Sequence, residues 1–285
     1  MRISFLLRSL LVTGLTSFTL GCTNLPSNSE ISADQWPSVL HRVTPPQVLL
    51  LGEQHDAPEH QQWQHATAQN LIARQQLAAV VLEMADQGQD TDKLPRTATE
   101  QEVQTALQWN DKGWPWQAYG PAIMTAVRAG IPVFGGNLPR ANMRQVMQDS
   151  AWDSHLPPAA WEQQRQAIRS GHCDLLPENQ ITPMARIQLA KDARMAQTIA
   201  PQVQAGKTVL LIAGRGHVLR SMGIPTWLPA DISRLIAIGQ AGGKAQADRA
   251  ESDYVVRTPA LADKDHCADL RAQWASHHQT NSLSR

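Results

Sequence analysis

Gln47-Val48-Leu49-Leu50-Leu51-Gly52-Glu53-Gln54-His55-Asp56 is the stretch on which the fold turns. An unbroken apolar run ends in a glycine and is followed at once by ionisable side chains. A short run without polar alternation reads as a strand buried on both faces, which is the habit of parallel sheets covered by helices. The residues that follow predict a helix start: Asp56 as cap, Pro58 in the first turn and Glu59 three on. That helix is expected to reach about Gln76.

The same grammar repeats outward from this point. Residues 79–82 predict a second buried strand ending at Glu83, residues 130–135 a third, and residues 207–212 a fourth that runs into Gly214-Arg215-Gly216-His217. Residues 234–238 and 254–257 predict late strands. Helical periodicity fills 100–108, 119–129, 139–148, 158–169 and 182–204. Alternating strands and helices predict an α/β fold, a mainly parallel central sheet with helices on both faces. The helix-only stretch 140–185 is expected to form a lid or small subdomain.

The chain has 285 residues, 42% of them hydrophobic, enough to bury a sizeable core. Lys+Arg and Asp+Glu both number 25, so no basic field is available and nucleic acid is not an expected partner. The first residues, MRISFLLRSLLVTGLTSFTLGC, have a positive start and an apolar stretch too short to span a bilayer stably. Gly21-Cys22 at its end resembles the lipobox of bacterial lipoproteins, with Cys22 acylated and a polar tether following. Thr23, rather than an aspartate, directs the sorting expectation to the outer membrane of a Gram-negative bacterium. The expected organisation is a signal peptide over 1–21, lipidated Cys22 and tether over 22–46, an α/β domain over 47–260, and a tail over 261–285.

In an exported chain Cys173 and Cys267 meet an oxidising space and can pair. Closing a loop of roughly 95 residues is nominally worth ~4–5 kcal/mol. The competing reading is a Cys/His metal site that also uses His172 and His266, although zinc ligands normally come in tighter pairs.

Ligands of open parallel sheets bind at the carboxyl ends of the strands. Those ends carry Glu53 and His55, Glu83, Asn137 and Arg140, and Arg215 and His217. Two of them share the spacing Gly-x-x-His. Each alone suits a cap or a loop residue, but together they suggest one polar site. His55, His217, Glu53 and Glu83 suit a divalent Mn, Co or Zn ion. His55 or Glu53 can also serve as a general base without metal. Asn137, Arg140 and Arg215 suit an anionic group.

These residues, taken in order, resemble the ChaN-like haem-binding lipoproteins of the superfamily that includes Tiki and TraB proteins. The resemblance runs from Leu50-Leu51-Gly52-Glu53-Gln54-His55-Asp56 through Val81-Leu82-Glu83-Met84 and Gly113-Trp114-Pro115-Trp116-Gln117-Ala118-Tyr119-Gly120-Pro121. It continues through Gly136-Asn137-Leu138-Pro139-Arg140 and His172-Cys173-Asp174-Leu175-Leu176-Pro177 to Leu211-Ile212-Ala213-Gly214-Arg215-Gly216-His217-Val218. It implies a surface lipoprotein of haem or iron uptake, haem held through a tyrosine, a homodimer pairing two haems, and an outer-membrane haem receptor as partner. Tyr119, beside the Trp109–Trp116 segment, and His172 are the two candidate axial ligands. Trp116, Asn137, Arg140 and Arg215 complete the expected haem set. His60 and His65 are expected to be solvated. The Tiki branch implies a rival, a metal-dependent hydrolase using His55, His217, Glu53 and Glu83.

Overall fold

Strand β2 (Val48–Glu53) is buried at all six residues, and its side chains divide between two cores. Leu49 and Leu51 face one core, Val48 and Leu50 the other. Period-two alternation turns an unbroken apolar run into the central strand of a two-sided sheet. The computed structural model describes residues 29–242, 249–262, 264–268 and 270–272. The signal segment, Cys22 and the first part of the tether lie outside the described residues.

Among the described residues seven strands make one sheet in the order β1-β7-β6-β2-β5-β3-β4, with every pairing parallel. They are β1 (Ser29–Ser32), β2, β3 (Leu77–Asp86), β4 (Val133–Asn137), β5 (Thr208–Gly214), β6 (Arg234–Ala241) and β7 (Tyr254–Thr258). Helices α1 (Trp36–Arg42), α2 (Pro58–Ala73), α3 (Glu100–Ala106) and α4 (Trp116–Ala129) cover the Leu49/Leu51 face. The long α7 (Glu178–Ile199) covers the other with Leu189, Met195, Ala196 and Ile199. The α/β sheet with helices on both faces is therefore formed as expected.

Helices α5 (Met143–Gln148) and α6 (Pro158–Gly171) pack on the first half of α7 through two small clusters of their own, around Val146/Ile187 and Ile168/Ile181. Residues 140–185 contain no strand. The left-handed turn after α6, with Cys173 and Asp174 at φ 55° and 57°, ends this layer. There Cys173 is disulfide-bonded to Cys267 across 94 residues. The rival metal site is not formed, because His266 turns instead to Asp56, 3.2 Å away.

Several expected boundaries are corrected. Residues 29–42 are not tether: β1 pairs with β7, and Trp36, Val39 and Leu40 are buried. The Trp36 indole N–H donates to Thr67 Oγ1 at 2.9 Å, and its ring meets Trp63 and Tyr254 edge-on. Asp56 is not the cap of α2; Ala57 takes that position. Strand β4 begins late because Gly130 is the left-handed C-cap of α4, with φ 76°. Strand β3 continues past Glu83, but its register against β4 slips between Leu82 and Asp86, the kind of irregularity that re-aims side chains beside a site.

Candidate functional site: a buried carboxylate–imidazole chain

Parallel register sets Gly52 opposite Ala213 and Glu53 opposite Gly214, so the two Gly-x-x-His motifs lie side by side. Each glycine makes room for the other motif. A Cβ on Gly52 would stand 2.4 Å from Val218 Cγ2 and 2.9 Å from the Arg215 backbone. A Cβ on Gly214 would stand 2.8 Å from His55 Nε2.

The Glu53 carboxylate is buried and accepts from four side chains. The Tyr119 hydroxyl (2.6 Å) and His55 Nδ1–H (2.7 Å) reach Oε1; the amides of Gln61 (2.9 Å) and Gln64 (2.7 Å) reach Oε2. Gln61 and Gln64 sit one turn apart on α2, so both face the same carboxylate. The Tyr119 hydroxyl is held as a donor and its pKa is pushed far up, by burial first and then by the Glu53 charge. His55 is pinned at Nδ1 while its ring stays half-exposed, edge-on to Trp114 at 4.8 Å. Burial lowers its pKa, but the Glu53 hydrogen bond and the Glu83 charge outweigh that and raise it.

Glu83 forms the next link. Its Oε2 accepts the Gly214 N–H at 2.8 Å and lies 3.8 Å from His55 Nε2. Its Oε1 lies 3.1 Å from His217 Nε2 and 3.4 Å from Lys191 Nζ. Burial alone would raise its pKa; the charges of His217, Lys191 and His55 hold it well below the usual carboxylate range. His217 sits in the short 3-10 turn Arg215–Val218 that follows β5, and its Nδ1 donates to Asp192 Oδ1 at 2.6 Å. Burial opposes its charge, but Glu83 and Asp192 push its pKa up to about 10. Burial raises Asp192 to about 6. The result is one continuous chain, Tyr119–Glu53–His55–Glu83–His217–Asp192, across the carboxyl ends of β2, β3 and β5.

The four residues expected to bind a divalent ion are thus together, yet they do not form the expected metal site. Glu53 is spent on four donors and Glu83 on two cations and an amide. Among the described residues no group of three or more His, Cys, Asp or Glu is disposed to hold a metal ion.

Two cavities flank the chain. One of about 280 Å³ on the α2–α4 side is lined by His55, Gln61, His65 and Gln117. One of about 810 Å³ lies between α6, α7 and the turn after β5, lined by Ile168, His172, Asp192, Arg215, His217 and Met222 among others.

The expected haem residues separate. His172 and Arg215 share the larger cavity with His217. Tyr119 is buried, as is Tyr254, the chain's other tyrosine. Trp116 is half-buried; its indole N–H donates to Glu100 and its ring packs edge-on to Trp109. Asn137 turns its Oδ1 to the Leu138 N–H, and Arg140 lines a separate cavity with Met143 and Met147. His60 is not solvated: it is fully buried, and its Nδ1 accepts the Gln54 N–H at 2.9 Å. His65 is half-buried on Thr125 Oγ1. Asp192, Lys191, Gln61 and Gln64 escape sequence reasoning. The signal for Asp192 was an acidic residue on the apolar face of α7, where Leu189, Ala193 and Ala196 are buried with it.

No curated protein sequence matches the chain significantly. Its fold is similar to a solved structure described as cofacial heme binding to ChaN of Campylobacter jejuni, with a TM-score of 0.64 and 22% identity over 80% of this chain and 97% of that one. Residues 39–228 match the family model described as haem-binding uptake, Tiki superfamily, ChaN. That match spans β2 to β5, the whole carboxylate–imidazole chain and both flanking cavities, and the chain belongs to this ChaN family of haem-binding uptake proteins.

Proposed function

We propose that the chain is a haem-binding lipoprotein, exported and anchored in the outer membrane through acylated Cys22, and that it serves haem or iron uptake. Family membership supports the haem; the layout of residues 1–22 supports the anchor. The observation that carries the reading is the cavity of about 810 Å³ at the carboxyl edge of the sheet. Its size falls within the roughly 300–1,000 Å³ typical of ligand pockets. Ile168, Leu219 and Met222 form part of its wall, and His172, Arg215 and His217 bring polar groups to it. A bound haem would supply the iron centre; the chain's part is to hold and orient it. Titration of the purified protein with haemin should give a saturable Soret shift, and its absence refutes the reading. Cys22→Ser should shift the protein from the membrane to the soluble fraction. The family expectations of a homodimer and a membrane receptor are tested by light scattering with and without haemin, and by crosslinking in whole cells.

The Glu53–His55 pair favours a second reading, hydrolysis of an ester or peptide. A carboxylate that fixes one nitrogen of a half-exposed imidazole at the wall of a small cavity resembles the setting of a general base. Hydrolysis of a panel of esters and peptides, abolished in His55→Ala, supports this reading, and a silent panel counts against it. Elemental analysis of the protein as purified tests the Mn, Co or Zn version.

A further inference from the structure

We infer that His172, in place of a tyrosine, is the residue that would ligate the iron of a haem bound to this chain. The inference rests on the haem-binding reading above and names the residue that would carry it out.

The chain has two tyrosines, and both are buried. Tyr119 donates its hydroxyl hydrogen to Glu53 at 2.6 Å, on the sheet face opposite the larger cavity. Ligation through that oxygen would need an anion beside a buried carboxylate. Tyr254 packs edge-on to Trp36 at the start of β7, also away from the cavity.

Two histidines line the cavity, and their hydrogen bonds separate them. His217 has both nitrogens committed, Nδ1 to Asp192 and Nε2 to Glu83, so it has no lone pair to give. His172 has one committed. It stands at the C-cap of α6, and its Nδ1 lies 2.8 Å from the carbonyl oxygen of Ile168. A carbonyl only accepts, so Nδ1 carries the proton and Nε2 keeps its lone pair. Among the described residues Nε2 has no hydrogen-bond partner. A backbone carbonyl on one imidazole nitrogen, fixing tautomer and ring direction, is the usual support of a histidine that ligates iron or zinc through the other. The left-handed turn at Cys173 and Asp174 and the disulfide to Cys267 follow directly, so the ring is also anchored from its C-terminal side.

The test is haemin titration of the whole protein and its variants, read by absorption and electron paramagnetic resonance, with thermal melting to check folding. The wild type should show an imidazole-ligated spectrum. His172→Ala should lose that signature and bind at least tenfold more weakly, and free imidazole should restore the spectrum. Tyr119→Phe and Tyr254→Phe should keep the wild-type spectrum. A wild type that binds no haemin overturns the haem reading itself. A wild-type spectrum retained in folded His172→Ala, or lost in either tyrosine variant, overturns only the ligand assignment. Should His172→Ala fail to fold, His172→Gln, which retains a hydrogen-bonding side chain, takes its place with the same two outcomes.

Discussion

The imidazole of His55 lies over the backbone of Gly214, so close that a methyl group there would meet Nε2 at 2.8 Å and Cε1 at 3.1 Å. The second motif thus fixes the first. Gly214→Ala should push the ring away from Glu83 and lower the His55 pKa, measured by NMR titration, with modest loss of stability because the neighbour is a side chain. Gly52→Ala meets backbone at Arg215 as well as Val218, so it should destabilise more, by about 1–3 kcal/mol in urea unfolding. Equal effects of the two substitutions on stability, with an unmoved His55 titration, would contradict the reciprocal packing.

Glu53 should matter more for folding than any partner it holds. Glu53→Gln keeps the shape but turns an amide toward Tyr119, His55, Gln61 and Gln64, all of which donate to the carboxylate. Loss of a buried charge with matched donors should cost about 3–5 kcal/mol. Tyr119→Phe removes one donor of four and should cost only about 1 kcal/mol. Chemical denaturation of the two variants gives the comparison; a larger loss in Tyr119→Phe, which keeps the ring and removes only the hydroxyl, would contradict this ranking.

Much of the fold was legible because buried parallel strands write their burial as continuous apolar runs, as at Val48–Leu51 and Val209–Ile212. Strand β1 was not: Ser29-Glu30-Ile31-Ser32 is polar and holds an edge, where pairing and not burial makes the strand. The site divides the same way. Glu53, His55, Glu83 and His217 stand where strands end, and strand ends can be read. Their partners Gln61, Gln64, Lys191 and Asp192 come from the middles of helices, and only the three-dimensional register of α2 and α7 against the sheet aims them. Tyr119, offered as a haem ligand by the family resemblance, is buried with its hydroxyl on Glu53, a partner 66 positions away that its own stretch of sequence does not disclose.

Stability should fall as pH rises from neutral toward 10. His217 has an ordinary pKa of 6.5 and a folded value of about 10. Below 6.5 both states hold the proton and the full contribution is present; between 6.5 and 10 the unfolded chain releases it while the folded chain keeps it. The slope from this one group is at most about 1.4 kcal/mol per pH unit. His217→Gln should flatten the fall, seen as melting temperature against pH. Should that variant leave Glu83 and Asp192 too unbalanced to fold, the ring resonances of wild-type His217 should still report a protonated imidazole at pH 8. A neutral ring there contradicts the ion chain.

The Cys173–Cys267 disulfide should contribute both stability and the position of His172. Its 94-residue separation sets a nominal upper value of about 4–5 kcal/mol, and the crosslink also holds His266 against Asp56, beside His55. Cys173→Ser/Cys267→Ser should therefore lower the melting temperature and weaken haemin binding severalfold, while the spectrum of the bound haem stays of the wild-type kind, since the Ile168 carbonyl still orients the ring. A dithiol reductant added to the wild type should reproduce the same loss and have no effect on the double variant. Unchanged haemin affinity after reduction would mean that the helix end alone holds His172, and that the crosslink serves only to tie the C-terminal segment to the helical layer.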